Sequence, residues 1–230
     1  MAQPVTDAQS DPDNAAGPDN AAGPDNAAEP ERSFDVLGRH DEPWTADLAL
    51  QLLPENNGPR VEVLSGSVIV TPHAGTDHQT VERELPYLLH RAARRAGFWV
   101  YPEINIVSGD DLFIPDIAVL REPGRGRSSV GIGEVVMLGE IVSPSTRRKD
   151  VIDRPRRYAD AKVSYLLRVD LRNRVPAMAL LELAEGDYRP VAAASAGTMF
   201  VMREPFEFAV DPADLIDDEE TAERDGTAGS

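Results

Sequence analysis

The chain has 230 residues, no cysteine and a formal net charge of −17, from 40 acidic and 23 basic residues. This length suits one domain with tails, and the lack of cysteine excludes a disulfide framework, a thiolate-bound zinc or iron–sulfur centre and a thiol nucleophile. The apolar fraction of 41% is sufficient for a hydrophobic core. The charge argues against a uniformly basic nucleic-acid-binding protein.

The negative charge is concentrated at the two ends of the chain. Residues 1–33 carry seven acids and one base, residues 211–230 carry eight acids and one base, and the residues between them have a net charge of only −4. Residues 12–29 repeat Pro-Asp-Asn-Ala-Ala-Gly or Glu in units of six, without a branched aliphatic side chain. Because such segments cannot bury a core, we expect two disordered acidic tails, 1–33 and 211–230, around one domain, 34–210.

The first residues have neither the basic region nor the apolar stretch of a secretion signal. No apolar run approaches the roughly 20 residues of a membrane span. We therefore expect a cytoplasmic protein that does not act at a membrane.

The apolar periodicity between the tails predicts helices and strands in an order typical of an α/β or α+β domain, with a mixed central sheet flanked by helices. The predicted elements, in chain order, are a helix at 45–53 capped by Thr45, a hairpin of strands 61–64 and 67–71, a helix at 76–96, strands at 98–107, 112–120 and 134–142, a helix at about 147–161, and strands at 164–169, 177–184 and 187–193.

Three acids interrupt apolar strand patterns. Asp116 follows Pro115 within one strand, Glu140 lies within another, and Glu62 lies in the hairpin. A carboxylate inside an apolar strand is costly unless it is paired or binds a metal. Two carboxylates on neighbouring strands would provide hard oxygen ligands for Mg²⁺, with water and phosphate completing its coordination.

A basic segment follows Glu140 closely. Residues 147–157 contain six bases and two acids, and this net charge of +4 suits a phosphodiester backbone. Asp150, Arg154 and Tyr158 are spaced by four residues, so a helix would place them on one face.

These motifs together resemble those of a known family. The segments that carry the resemblance are Glu62-Val-Leu-Ser-Gly-Ser-Val-Ile-Val, His78-Gln, Pro115-Asp-Ile-Ala-Val, Glu140-Ile-Val-Ser-Pro-Ser-Thr, Asp150, Arg154, Tyr158-Ala-Asp-Ala and Tyr165-Leu-Leu-Arg-Val-Asp. Over about residues 44–210 the chain resembles the bacterial putative restriction endonuclease domain family, a branch of the PD-(D/E)XK nuclease superfamily.

The resemblance implies a restriction endonuclease-like fold and hydrolysis of DNA phosphodiesters with Mg²⁺ or Mn²⁺. It implies that Asp116 and Glu140 are metal ligands and that Glu62 supports the metal directly or through water. DNA would be the partner, and a homodimer is expected if both strands are cut, since each cut needs its own site. Three bases would bind DNA phosphates: Arg147, Arg148 and Lys149.

The chain departs from the family pattern at the lysine of the site. The superfamily lysine would fall on Val142, and the family instead places it four residues before the tyrosine, where this chain has Arg154. Arginine stays protonated, so it could only position water or neutralise developing charge. Pro155 is a second departure, which the sequence tolerates if the helix begins near Asp153.

The residues alone leave alternatives open. Asp116 and Glu140 could be exposed at strand ends or paired with arginines, Glu62 could face water, and Arg154 could pair with Asp150 at the surface. The departure at Arg154 also fits a protein that keeps the nuclease fold, has lost the nuclease activity and binds DNA or protein. A third alternative is an inhibitory protein whose acidic tails mimic nucleic acid.

Overall fold

A computed structural model describes residues 40–53, 59–143, 148–171 and 175–216, without the side chains of 148–151. Its helices are α1 (Ala46–Leu52), α2 (Thr76–Arg95) and α3 (Arg148–Asp160). Its strands are β1 (Arg60–Leu64), β2 (Ser67–Thr71), β3 (Trp99–Pro102), β4 (Asn105–Ser108), β5 (Asp111–Phe113), β6 (Ile117–Leu120), β7 (Ser129–Gly131), β8 (Val135–Val142), β9 (Tyr165–Asp170), β10 (Ala177–Ala184), β11 (Asp187–Ser195), β12 (Phe200–Met202) and β13 (Phe208–Val210).

The described strands form three sheets. A six-stranded sheet has the order β11-β10-β9-β8-β6-β3, a five-stranded sheet has the order β2-β1-β5-β4-β7, and β12 pairs with β13. Two pairs are parallel, β8 with β9 and β4 with β7, and the others are antiparallel. This is the mixed sheet that the sequence predicted, with its helices on the faces.

The central strands of the six-stranded sheet, β6 and β8, are buried on both faces. On one face α2 packs its apolar stripe, including Leu85 and Leu89, against Met137 of β8. On the other face Tyr158 of α3 packs with Leu138. Because side chains alternate along a strand, Glu140 projects to the same face as Leu138, toward α3.

Two predicted strands are each divided between two sheets. The predicted strand 98–107 is β3 and β4, separated at Glu103, whose φ is +42°. The predicted strand 112–120 is β5 and β6, separated around Pro115, which has no N–H for a strand ladder. The prediction of continuous strands was therefore wrong, because the chain passes between the two sheets at both places.

Helix α3 begins at Arg148, close to the predicted start at about 147, so Pro155 lies in its interior and not in a first turn that begins near Asp153. The burial of Tyr158 and Ala159 in the core outweighs the preference of proline for a first turn.

The packed domain also continues past residue 210, where the sequence analysis ended it. A 3₁₀-helix at Pro212–Leu215 is capped by the side chain of Asp211, and Leu215 is buried against the core. Residues 1–39 and 217–230, which hold all of the first predicted tail and most of the second, lie outside the described residues. In the described part of the chain, every helix is too short or too polar to span a bilayer.

Candidate active site

Asp116 and Glu140 lie side by side on neighbouring strands of the six-stranded sheet. β6 and β8 are antiparallel, and Ile117 pairs with Gly139. Asp116, which precedes Ile117, is therefore adjacent to Glu140, which follows Gly139. Gly139 permits the close approach, because a Cβ there would lie 2.9 Å from the Cβ of Ile117. Asp116 Oδ2 accepts a hydrogen bond of 2.6 Å from the N–H of Ile141, which fixes the carboxylate against β8.

Glu62 reaches the same place from the five-stranded sheet. Its side chain in β1 is fully buried, so it does not face water. Its Oε1 accepts a hydrogen bond of 2.8 Å from the N–H of Ile114, next to Pro115. The passage of the chain between the sheets therefore brings Glu62 toward the acids of the other sheet.

Arg154 connects two of these acids. Its Nη1 lies 3.1 and 3.2 Å from the two carboxylate oxygens of Glu140, and its Nη2 donates to Glu62 Oε2. One helical turn later, the Tyr158 hydroxyl donates a hydrogen bond of 2.5 Å to Glu140 Oε1. We call Glu62, Glu140, Arg154 and Tyr158 the Arg154 cluster.

A second cluster surrounds Asp116. Arg60 donates to Asp116 Oδ1 at 2.7 Å, to Glu82 at 3.2 Å and to Glu103 at 3.2 Å. His78 Nε2 lies 3.5 Å from Asp116 Oδ2, and His78 Nδ1 lies 3.7 Å from Glu82, beyond hydrogen-bond distance. We call Arg60, His78, Glu82, Glu103 and Asp116 the Arg60 cluster. Its two bases, Arg60 and His78, both face Asp116 and Glu82.

The acids of the Arg154 cluster resist ionisation. Burial raises the pKa of Glu140 to about 7, and the neighbouring Asp116 adds to the rise while Arg154 opposes it. Burial likewise raises the pKa of Glu62 against the effect of Arg154. Tyr158, buried beside Glu140, has a pKa well above its usual value, so it remains a hydrogen-bond donor.

The acid at the centre of the Arg60 cluster behaves in the opposite way. Burial by itself raises the pKa of Asp116, but its contacts with His78 and Arg60 outweigh burial, and the pKa falls below its usual value. Burial lowers the pKa of His78, yet Asp116 and Glu82 raise it to about 9. His78 is therefore a cation at neutral pH, and Asp116 is ionised.

Both clusters form the floor of one cleft of about 1370 Å³. Its lining also includes Ile69, Val70, His73, Arg157 and Arg168. This volume exceeds the range of roughly 300–1,000 Å³ that is usual for small-molecule sites, so the cleft has room for a segment of a macromolecule.

The oxygen donors of Asp116 and Glu140 suit a hard divalent cation. Mg²⁺ is commonly bound by one or two carboxylates, with water and phosphate as the remaining ligands. In the described part of the chain no set of three His, Asp or Glu side chains is arranged to hold a metal. Asp116 already contacts Arg60, and Glu140 already contacts Arg154. The two carboxylates therefore fit the cation once an arginine gives up its contact.

The structure thus brings together the four residues that the sequence singled out for catalysis: Glu62, Asp116, Glu140 and Arg154. Of the alternatives, pairing with arginines is observed for Asp116 and Glu140. The predicted phosphate-binding residue Arg147 lies outside the described residues, and the side chains of Arg148 and Lys149 are not described.

Sequence reasoning missed the remaining members of the Arg60 cluster. His78 was noted only as part of the family resemblance, and Arg60 and Glu103 lie at strand boundaries where periodicity says little. The spacing of four residues between His78 and Glu82 on α2 was the available signal, since it places both on one helix face.

Comparisons with known proteins agree with this architecture. The Uma2 family model, described as a putative restriction endonuclease, matches residues 46–213, most of the chain. Among solved structures, the fold is similar to that of a protein from Anabaena variabilis ATCC 29413, described as a putative nuclease belonging to DUF820, with a TM-score of 0.53 and 18% identity, over 68% of this chain and 86% of that one. No curated protein matches the chain. The predicted restriction endonuclease-like fold is confirmed, and the chain belongs to the Uma2 family.

Proposed function

We propose that the chain is a nuclease that hydrolyses DNA phosphodiester bonds with a divalent cation, Mg²⁺ or Mn²⁺, at Asp116 and Glu140. The observation that carries the proposal is the convergence of three buried or half-buried acids, distant in sequence, with two guanidinium groups at the floor of one cleft. Membership of the family supports the nuclease class.

Asp116 and Glu140 would hold the cation, which would polarise the phosphate and lower the pKa of a bound water. Of these two carboxylates, Asp116 is the one that is already ionised and held in a fixed orientation. Arg60 and His78 keep it ionised, and the N–H of Ile141 fixes its orientation.

Arg154 provides a fixed positive charge beside the acids. A guanidinium does not release its proton at physiological pH, so Arg154 is not the general base. It can neutralise negative charge that develops on the phosphate. Glu62 contacts Arg154 directly and so acts as a positioning residue for the guanidinium.

The test is plasmid cleavage by the full chain with Mg²⁺ or Mn²⁺. Asp116→Asn and Glu140→Gln should each reduce the rate at least about hundredfold, the scale of losing a charge-stabilising group in a site. Glu182→Gln is the matched control, since Glu182 is an exposed glutamate on β10, and it should cut like wild type. Activity that survives Asp116→Asn would refute the proposed site.

The products of the same assay report how the chain acts on two strands. One active site cuts one strand at a time, so a single chain should produce a nicked circle. Linear DNA that appears with second-order dependence on protein concentration would indicate a homodimer.

A second function is favoured by Arg154 itself, which stands where the family is expected to carry a lysine. In this alternative the chain has lost cleavage and binds DNA or protein through the same cleft. An inactive wild type and an active Arg154→Lys would identify it. Salt-dependent DNA binding by the inactive wild type would then distinguish a DNA ligand from a protein ligand.

A further inference from the structure

The guanidinium of Arg154 lies between two carboxylates that face the cleft. The Arg154 side chain is 13% exposed, the Glu140 side chain is 15% exposed, and Glu62 is fully buried. Both oxygens of Glu140 and one oxygen of Glu62 are in contact with this one group. Arg154 therefore contacts both oxygens through which Glu140 would bind a cation.

Arg154 is shared by the two acids of its cluster. Among the described residues the ion pairs of both acids are with Arg154. A divalent cation at Glu140 would therefore be repelled by the guanidinium and would have to displace it from the carboxylate oxygens.

The two contacts of Arg154 are made by different nitrogen atoms. Nη1 contacts Glu140, and Nη2 contacts Glu62. If Glu140 exchanged its partner, the contact between Nη2 and Glu62 would remain to hold the guanidinium in the cluster.

We infer that Arg154 is an internal counter-cation that competes with a divalent cation for Glu140. The inference rests on the proposed function, since it concerns the same carboxylate, and it adds a regulation of that site. Binding of the cation requires Arg154 to yield its contact with Glu140. The chain therefore binds its cation more weakly than the carboxylates alone would.

The test measures Mn²⁺ binding to the full chain at neutral pH by electron paramagnetic resonance. Arg154→Gln removes the charge and both contacts with the carboxylates. Arg157→Gln is the matched control, because it removes the same charge about one turn later on α3, where Arg157 pairs with Asp111 at 2.8 Å. The double variant Asp116→Asn/Glu140→Gln measures Mn²⁺ held elsewhere, including by the acidic ends of the chain.

Arg154→Gln should bind Mn²⁺ about tenfold to hundredfold more tightly than wild type, as expected when a competing charge-assisted contact is lost. Arg157→Gln should stay within about twofold of wild type, since its contact with Asp111 is outside the cluster. The inference is overturned if Arg154→Gln binds Mn²⁺ no more tightly than Arg157→Gln.

A second variant keeps the test decisive if Arg154→Gln does not fold. Arg154→Lys keeps the charge, but a single ammonium replaces the two-nitrogen bridge, so its affinity for Mn²⁺ should exceed that of wild type. An affinity equal to or below that of wild type contradicts the inference.

The outcome is independent of cleavage. If the wild type does not cut DNA but Arg154→Gln gains affinity, the proposed nuclease function fails and the inference stands. If the wild type cuts DNA and neither variant gains affinity, the function stands and the inference fails.

Discussion

The two clusters at the floor of the cleft bury similar side chains with opposite electrostatic results. In the Arg154 cluster the pKa of both acids is raised, whereas in the Arg60 cluster the pKa of Asp116 is lowered. Burial acts on all three acids in the same direction. The number of cations decides the difference, since two acids share Arg154 while Arg60 and His78 both face Asp116.

The comparison shows how one site can hold two kinds of carboxylate. Asp116 is ionised and oriented without any ligand, because its counter-charges belong to the protein. Glu140 instead shares Arg154 with Glu62, and burial keeps its pKa raised. Adjacent positions at the start of β6 and on β8 thus carry carboxylates in different electrostatic environments.

The largest effect should come from removing the base of each cluster in turn. Arg154→Gln leaves two acids facing no base, which should cost about 3–5 kcal/mol of unfolding free energy at pH 8, as for a broken buried ion pair. Arg60→Gln should cost less, because His78 still faces Asp116. Urea unfolding measures both. An equal or larger loss in Arg60→Gln would contradict the comparison.

The pH dependence of stability should separate the clusters. The raised pKa of Glu140, about 7 against 4.5, means that the folded chain keeps this proton longer. Stability therefore falls as pH rises from about 4.5 to 7, by on the order of 3 kcal/mol. Glu140→Gln should flatten this part of the profile of urea midpoint against pH, while the exposed Glu182→Gln should leave it parallel to wild type.

The lowered pKa of Asp116 predicts the opposite dependence of stability on pH in the same measurement. Its pKa lies below the usual 3.8, so its contribution to stability is present above about pH 4 and is lost as pH falls further. Asp116→Asn should therefore remove this acid limb of the profile, and it should also make the slope between pH 5 and 7 shallower, because the charge of Asp116 contributes to the raised pKa of Glu140. A change confined to pH 5–7 would show that the two acids had been assigned to the wrong environments.

A smaller effect should come from the backbone that joins the clusters. In Gly139→Ala the new Cβ would lie 2.9 Å from the Cβ of Ile117, which should cost about 1–3 kcal/mol as β6 and β8 separate. Thermal unfolding measures the loss. Gly133→Ala is the control, because no atom lies within 4 Å of a Cβ at Gly133, and equal losses in the two variants would argue against a close approach.

The smallest effect should come from the hydroxyl of Tyr158. Tyr158→Phe removes the hydrogen bond of 2.5 Å to Glu140 and should cost about 1 kcal/mol at pH 8. Because the bond stabilises the ionised form of Glu140, the variant should also raise the pKa of that acid. An unchanged pH profile would show that Tyr158 serves packing alone.

Most elements of the fold could be predicted because each is set by local pattern. Helix α2 and the hairpin β1–β2 lie within a residue of their predicted bounds, since apolar spacing and a Ser-Gly turn specify them. Strands β7, β12 and β13 were not predicted, as three residues are too few for a period to show. The breaks at Glu103 and Pro115 were also missed, because a strand that changes sheets keeps its apolar pattern.

The candidate site was predicted in part for a related reason. An acid within an apolar strand is visible in sequence, so Asp116, Glu140 and Glu62 could be singled out. Arg60 and Glu103 are ordinary polar residues at strand ends, and nothing local marks them. Their role follows from contacts across 43 and 56 residues of chain.

The sequence by itself determined the residue types at the site, including the arginine at position 154, and the family to which the chain belongs. It also located the negative charge at the chain ends, which left a weakly charged domain able to carry a basic segment. Only the tertiary structure decided which acid faces which base. The pKa of a buried carboxylate depends on the cations a few ångströms away, and here those cations come from other strands and helices.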